Sequence, residues 1–193
     1  MIKRQSQAEL LKKISNKELI YSLYISQQFF LVLAILLAYI LFDSYNEFFS
    51  LFVFDWEEIV LLGVVPGIIV VAIDIFLIKI LPKSAYDDGG INQRIFTSLN
   101  IPQIFILSII VAVSEEMLFR GILHTFLGFI IASTIFALIH FRYLNKIALL
   151  ISIFLLSFLI GYMYELTNNL LVPIAAHFCI DFLLGSYYRM FMR

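Results

Sequence analysis

Charge is what this chain is shortest of: 14% of its 193 residues are Asp, Glu, Lys or Arg, against about 25% in a soluble domain. That scarcity excludes an ordinary water-soluble surface. The formal net charge of -1 supplies no argument for nucleic acid or for an anionic partner. There is one cysteine, Cys179, so an intramolecular disulfide and a CxxC metal site are both excluded; it reads as a small core residue in an apolar segment. Gly/Ser linkers, blocks of like charge, low-complexity tracts and a visible repeat period are absent too, which leaves nothing to mark off a second domain. What fills the space is hydrocarbon, with 62% hydrophobic residues and a mean hydropathy of +0.99. At about 20 apolar residues per helical crossing, the chain has room for five or six spans and no separate soluble unit.

The pattern predicts an all-α polytopic membrane bundle of about six transmembrane helices, near residues 19–42, 59–81, 102–126, 128–145, 147–164 and 169–187. Residues 1–18 are polar and carry Lys3, Arg4, Lys12, Lys13 and Lys17. No small-residue cleavage site follows them, so they read as a cytoplasmic amphipathic lead-in. The first break between spans holds Asp43, Glu47, Asp55, Glu57 and Glu58 without a Lys or Arg, whereas the second holds Lys83 and Arg94 with Lys79 just before it. The positive-inside rule then puts the first break outside and the second inside. Continued alternation places all 13 basic residues except Arg120 on the cytoplasmic side, with both termini cytoplasmic. Asp87-Asp88-Gly89-Gly90 reads as a turn in the second cytoplasmic loop; the ligand spacing of a calcium loop is missing.

Three polar constellations interrupt the hydrocarbon: Glu115-Glu116 with Arg120, His140 after Phe136, and His177 with Asp181. Ionisable groups at membrane depth cost roughly 2.5 to 3.5 kcal/mol each even on the lenient insertion scale, so each calls for a reason. Glu116 and Arg120 are four apart, on one helical face with the acid preceding the base. Glu115 points about 100° away, so one acid can be tethered by Arg120 while the other faces a cavity and acts on water. If the chain reverses near Leu127 and Gly128, Glu115 and His140 each lie about 18 Å from the outer end, at 1.5 Å per residue. His177 and Asp181, counted from Asn169, lie about 12 to 18 Å deep on a shared face. All three constellations can meet at one level, toward the cytoplasmic side.

The chemistry available at such a level is hydrolysis: a carboxylate and an imidazole sharing a water, with a second imidazole to stabilise an oxyanion or bind a metal. Glu115, His140 and His177 from separate helices also suit Zn²⁺ with an open position. Two other polar residues have plainer readings. His124, near the outer end of its span, reads as a hydrogen-bonded core residue. Asp74, alone in its span, reads as an interhelical hydrogen bond or a neutral carboxylic acid.

The segment Ser114-Glu115-Glu116-Met117-Leu118-Phe119-Arg120-Gly121 resembles an EExxxR motif, Phe136-Ala137-Leu138-Ile139-His140 resembles FxxxH, and His177-Phe178-Cys179-Ile180-Asp181 resembles HxxxN/D. In order and spacing the three resemble the CAAX protease and bacteriocin-processing family, called CPBP or Abi, of intramembrane endopeptidases. The resemblance covers residues 101–186 as a catalytic core, preceded by two motif-free spans and a cytoplasmic loop at 19–100. It implies a multi-pass cell-membrane protease of the bacterial branch in which Glu115 with His140 activates water. Glu116 and Arg120 are then the structural pair, Phe136 supports the second motif, and His177 and Asp181 bind the oxyanion or a metal. Both a divalent metal such as Zn²⁺ and a metal-free glutamate mechanism are compatible with it. Where the prenyl-protease branch has Asn, this chain has Asp181, and an ionised carboxylate cannot donate a hydrogen bond to an oxyanion. Asp181 therefore either carries a proton or, as the preferred expectation, orients His177 through a hydrogen bond.

The expected function is an intramembrane endopeptidase acting on peptides or membrane proteins at the lipid bilayer, with no nucleic-acid partner. The alternative is a non-proteolytic scaffold or bacteriocin-immunity protein of the same fold. Ion transport lacks the repeated halves and broken helices of many transporters.

Overall fold

The computed structural model describes residues 14–86, 88–143 and 146–192, and its described residues contain helices and no strand. Lys3, Arg4, Lys12 and Lys13 of the lead-in, Asp87 of the second loop and Arg193 lie outside the described residues. Five helices are long and apolar enough to cross a membrane: α1 (Asn16–Leu41), the run Trp56–Ile80, the run Ile101–Leu127, Ile147–Thr167 and Leu171–Phe191. In chain order the short α2 (Tyr45–Phe49) follows α1, then come α3 (Trp56–Ile80), α4 (Lys83–Tyr86), α5 (Ile91–Ser98), α6 (Ile101–Leu127), α7 (Phe129–Ile139), α8 (Ile147–Thr167) and α9 (Leu171–Phe191). The protein is thus a polytopic helical bundle.

Local chemistry starts these helices. Ser15 and Glu18 form a capping box at α1, and Asn100 and Gln103 form another at α6, each satisfying backbone N–H groups that the first helical turn leaves open. Asp55 accepts from the Glu58 amide to start α3. Gly128, with φ of 86°, reverses the chain between α6 and α7 in a single residue. Two stretches are π-helical, Ile59–Val64 just before Pro66 in α3 and Met117–His124 in α6.

The fourth expected span, 128–145, is overlong. Helix α7 stops at Ile139, after 11 residues, because the His140 amide bonds back to Ala137 and the His140 imidazole takes the carbonyl of Phe136. A continuing helix would have used that carbonyl itself. At about 16 Å, α7 is too short to cross a hydrocarbon layer of about 30 Å.

Helix α9 sits centrally, packed against α6, α3, α5 and α8, while α1 packs on α6 and α5, and α7 packs on α8 and the π-helical part of α6. The contact of α3 with α9 is close. A Cβ on Gly63 would fall 2.7 Å from the Val172 carbonyl oxygen, and one on Gly67 3.0 Å from that of Ala176. This small-xxx-small seam, in a span without a recognised motif, lets two backbones approach and fixes the helix that carries His177. At one end of the bundle Arg189 donates to the Thr97 carbonyl and Gln93 to that of Met192. At the other, buried Asn169 clips the loop before α3 by donating to the Val53 carbonyl and to Glu58.

Candidate active site

Helix α6 delivers the paired acids to two different places. Glu116 is fully buried and Arg120 is 1% exposed, and Arg120 Nη1 lies 3.1 Å from Glu116 Oε2. The guanidinium also donates to the Ser157 carbonyl of α8 at 2.9 Å and stands over the Phe136 ring at 4.4 Å. Ser157 in turn donates to the Ser133 carbonyl of α7. One buried cation thereby ties three helices together, and a buried charge keeps such partners because losing them is costly. Glu115, one residue earlier, turns away to a cavity, where its Oε1 accepts from Gln27 Nε2 of α1 at 2.9 Å.

His140 stands at the end of α7 rather than within a helix. Its Nδ1 donates to the Phe136 carbonyl at 2.9 Å, which fixes the ring orientation and leaves Nε2 as the nitrogen able to accept a proton. Phe136 is the common wall of the site, with its ring centre 5.0 Å from that of His140 and 6.2 Å from that of His177.

His177, from α9, is 6% exposed. Its Nδ1 lies 2.6 Å from Glu116 Oε1, while its Nε2 lies 3.6 Å from Asp181 Oδ2. The orienting hydrogen bond on His177 therefore comes from Glu116, and Asp181 stands at ion-pair distance instead. Four-residue spacing on α9 brings Asp181 alongside the ring, but the carboxylate that reaches Nδ1 comes across from α6. Glu116 has two partners, Arg120 and His177, where the spacing of the motif shows one.

Glu115, Phe136, His140, His177 and Asp181 all line one cavity of about 750 Å³. Much of its wall is apolar, from Leu77 and Ile78 of α3 to Leu156 and Leu159 of α8, and its polar lining includes Tyr86, Asn92, Tyr143 and Tyr188. Asp74 also lines it and makes no hydrogen bond among the described residues, so of its two readings, an interhelical hydrogen bond or a neutral carboxylic acid, the first is not formed. His124 is elsewhere, buried near the α6–α7 turn with its Nε2 2.7 Å from Glu165. Cys179 is half-buried beside Gly67.

The side chains do not assemble a metal cage. Among the described residues no three His, Cys, Asp or Glu side chains come together as a ligand set. Nδ1 of each site histidine is held, by Phe136 or by Glu116, an arrangement that metal-binding histidines also show. Glu115, His140 and His177, the set suggested for Zn²⁺, are not gathered as a ligand set among the described residues.

Gln27 is absent from any reading by motif. A lone amide pair, Gln27-Gln28, in an apolar span is a signal, but sequence does not say which of the two faces inward. Gln27 is 3% exposed and Gln28 lies on the exposed face.

The chain is similar to known proteins over part of its length. Residues 97–183 match the family model described as type II CAAX prenyl endopeptidase Rce1-like. The chain is 50% identical over 124 residues to the Bacillus subtilis (strain 168) protein YpbD, itself described as uncharacterized, covering 64% of this chain and 66% of that one. It is 33% identical over 109 residues to the UPF0177 protein YxdF of Lactococcus lactis subsp. lactis (strain IL1403), covering 54% of this chain and 60% of that one. The chain thus spans somewhat under two thirds of the length of both relatives. No solved structure matches it.

Proposed function

Starting from a chain whose residues 97–183 match the Rce1-like family model of type II CAAX prenyl endopeptidases, we propose that it is an intramembrane endopeptidase that hydrolyses peptide bonds of membrane-associated peptides or proteins. The observation that carries this reading is the convergence of Glu115, His140 and His177 on one largely apolar cavity, with Glu116 and Arg120 behind them. Glu115 is the general base: it takes a proton from a water in the cavity, and the oxygen attacks the scissile carbonyl. His140, with Nδ1 committed to Phe136, accepts a hydrogen bond from that water at Nε2 and orients it, and the proton taken by Glu115 goes to the leaving amine as the C–N bond breaks. His177, clamped by Glu116 at Nδ1, turns Nε2 toward the cavity, where a proton on it donates to the tetrahedral oxyanion. Asp181, on the same side of the ring, acts through His177 by its charge. The end of the bundle holding Lys17, Arg94 and Arg189 is the cytoplasmic one, so both described chain ends face the cytoplasm.

The test is comparative proteomics of membrane peptides between wild type and a Glu115→Ala strain with equal membrane levels of the protein. Peptides cleaved only in wild type are expected, and His140→Ala reproduces the loss. Full wild-type behaviour of both variants would mean a non-proteolytic scaffold of the same fold. Cleavage by the purified protein with and without a strong chelator, followed by metal analysis, separates a metal-dependent route from a metal-free one.

A further inference from the structure

Glu115 is not the only buried polar group on its level of the bundle. Gln27 projects from α1, a span that carries none of the three motifs, and is 3% exposed among apolar neighbours. Its Nε2 donates to Glu115 Oε1 at 2.9 Å, and its Oε1 lies 2.6 Å from the hydroxyl of Ser114, which donates to it. Ser114 immediately precedes Glu115, and the Ile110 and Val111 carbonyls, 2.7 and 3.2 Å from its hydroxyl, are the alternative acceptors of its single proton.

This chain of bonds has a direction. A hydroxyl can donate or accept, and an amide presents an acceptor on one side and a donor on the other. With the serine proton directed at the amide oxygen, the NH₂ group faces Glu115, whose Oε1 accepts. The opposite orientation would need a proton on Glu115. We propose that Gln27 is a positioning residue for Glu115: its amide nitrogen holds one carboxylate oxygen, leaves the other for the water, and presents a donor that matches the base form of the acid. Ser114 sets which way the amide points. A motif-free span thereby contributes to the reacting centre, and α1 is part of the site rather than a lipid-facing buttress.

This inference rests on the endopeptidase reading, and the experiment separates the two. The assay measures steady-state cleavage of the peptide that distinguishes wild type from Glu115→Ala, with the full-length protein reconstituted in vesicles of phosphatidylethanolamine and phosphatidylglycerol. Gln27→Leu, of similar volume, is expected to lower kcat about 10- to 100-fold, the range seen when a partner orienting a reactive group is removed. KM should change by less than about threefold, with unaltered thermal unfolding, because the amide acts through Glu115. Ser114→Ala is expected to lower kcat several-fold alone and to add nothing in the Gln27→Leu background, since both act through one bond to Glu115. Gln28→Leu, on the exposed face, leaves kcat unchanged. Wild-type kcat in Gln27→Leu while Glu115→Ala is inactive overturns the positioning role alone. So does a loss that tracks the amount of folded protein, or one that adds in full to that of Ser114→Ala. Failure to find any peptide dependent on Glu115 overturns the endopeptidase reading and this inference together.

Discussion

Two histidine–carboxylate pairs of nearly equal length occur in this bundle, His177 with Glu116 at 2.6 Å and His124 with Glu165 at 2.7 Å. Both imidazoles are 6% exposed. The difference lies in what stands behind each. Glu116 is wholly buried and shared with Arg120, and its histidine borders the cavity. The Glu165 side chain is 56% exposed, and His124 lies outside that cavity. A short hydrogen bond is therefore no guide to function here; burial of the carboxylate and access of the imidazole to a reacting space separate the two regions.

The sharpest way to break that contrast is Glu116→Ala. It leaves Arg120 a buried cation without its carboxylate and His177 without its anchor, and removing one partner of such a pair costs about 3 to 5 kcal/mol. Thermal unfolding in detergent should register the loss, and cleavage should vanish. Next comes His177→Ala, which should cut kcat at least about 100-fold, as removal of an oxyanion donor does, while His124→Ala stays within about threefold. Equal effects of the two histidine variants would erase the distinction.

Asp181→Asn keeps the shape and removes the charge 3.6 Å from His177. A roughly tenfold fall in kcat is expected, of the size seen for partners behind a reacting group. Unchanged activity with Asn but none with Ala would show that an amide serves as well as the acid. The smallest effect belongs to Glu165→Gln: an exposed pair contributes less than about 1 kcal/mol, so unfolding temperature and turnover should both stay near wild type.

Much of this bundle is legible in the sequence, because long apolar runs with polar breaks leave a membrane chain little choice. Five of the six expected spans coincide with long helices, and the reversal at Leu127 and Gly128 is where a positive φ requires glycine. The level shared by Glu115, His140 and His177 also follows from residue counting, although eight residues of α6 are π-helical. What escapes the sequence is set by side-chain geometry between elements. Helix α7 ends early because one imidazole claims a carbonyl. Glu116 reaches across to His177 because α9 lies beside α6, and no spacing within either motif encodes that. Gln27 shows only as half of an amide pair in an apolar span, since its meaning depends on which face of α1 meets α6. The Gly63 and Gly67 seam is visible as a spacing, but its partner backbone is not.

The half-length of α7 has a consequence for the solvent. Hydrolysis consumes water, and hydrocarbon holds almost none, so an enzyme working at membrane depth needs a path for its co-substrate. A helix of about 16 Å covers only half the thickness of the oily layer. Beyond its end the cavity wall carries Asn92, Tyr86, Tyr143 and Tyr188, hydroxyl and amide groups that wet readily. On the endopeptidase reading proposed above, stopping α7 at His140 brings the polar end of the cavity to the imidazole, so that water reaches the site without a crossing of the full oily layer.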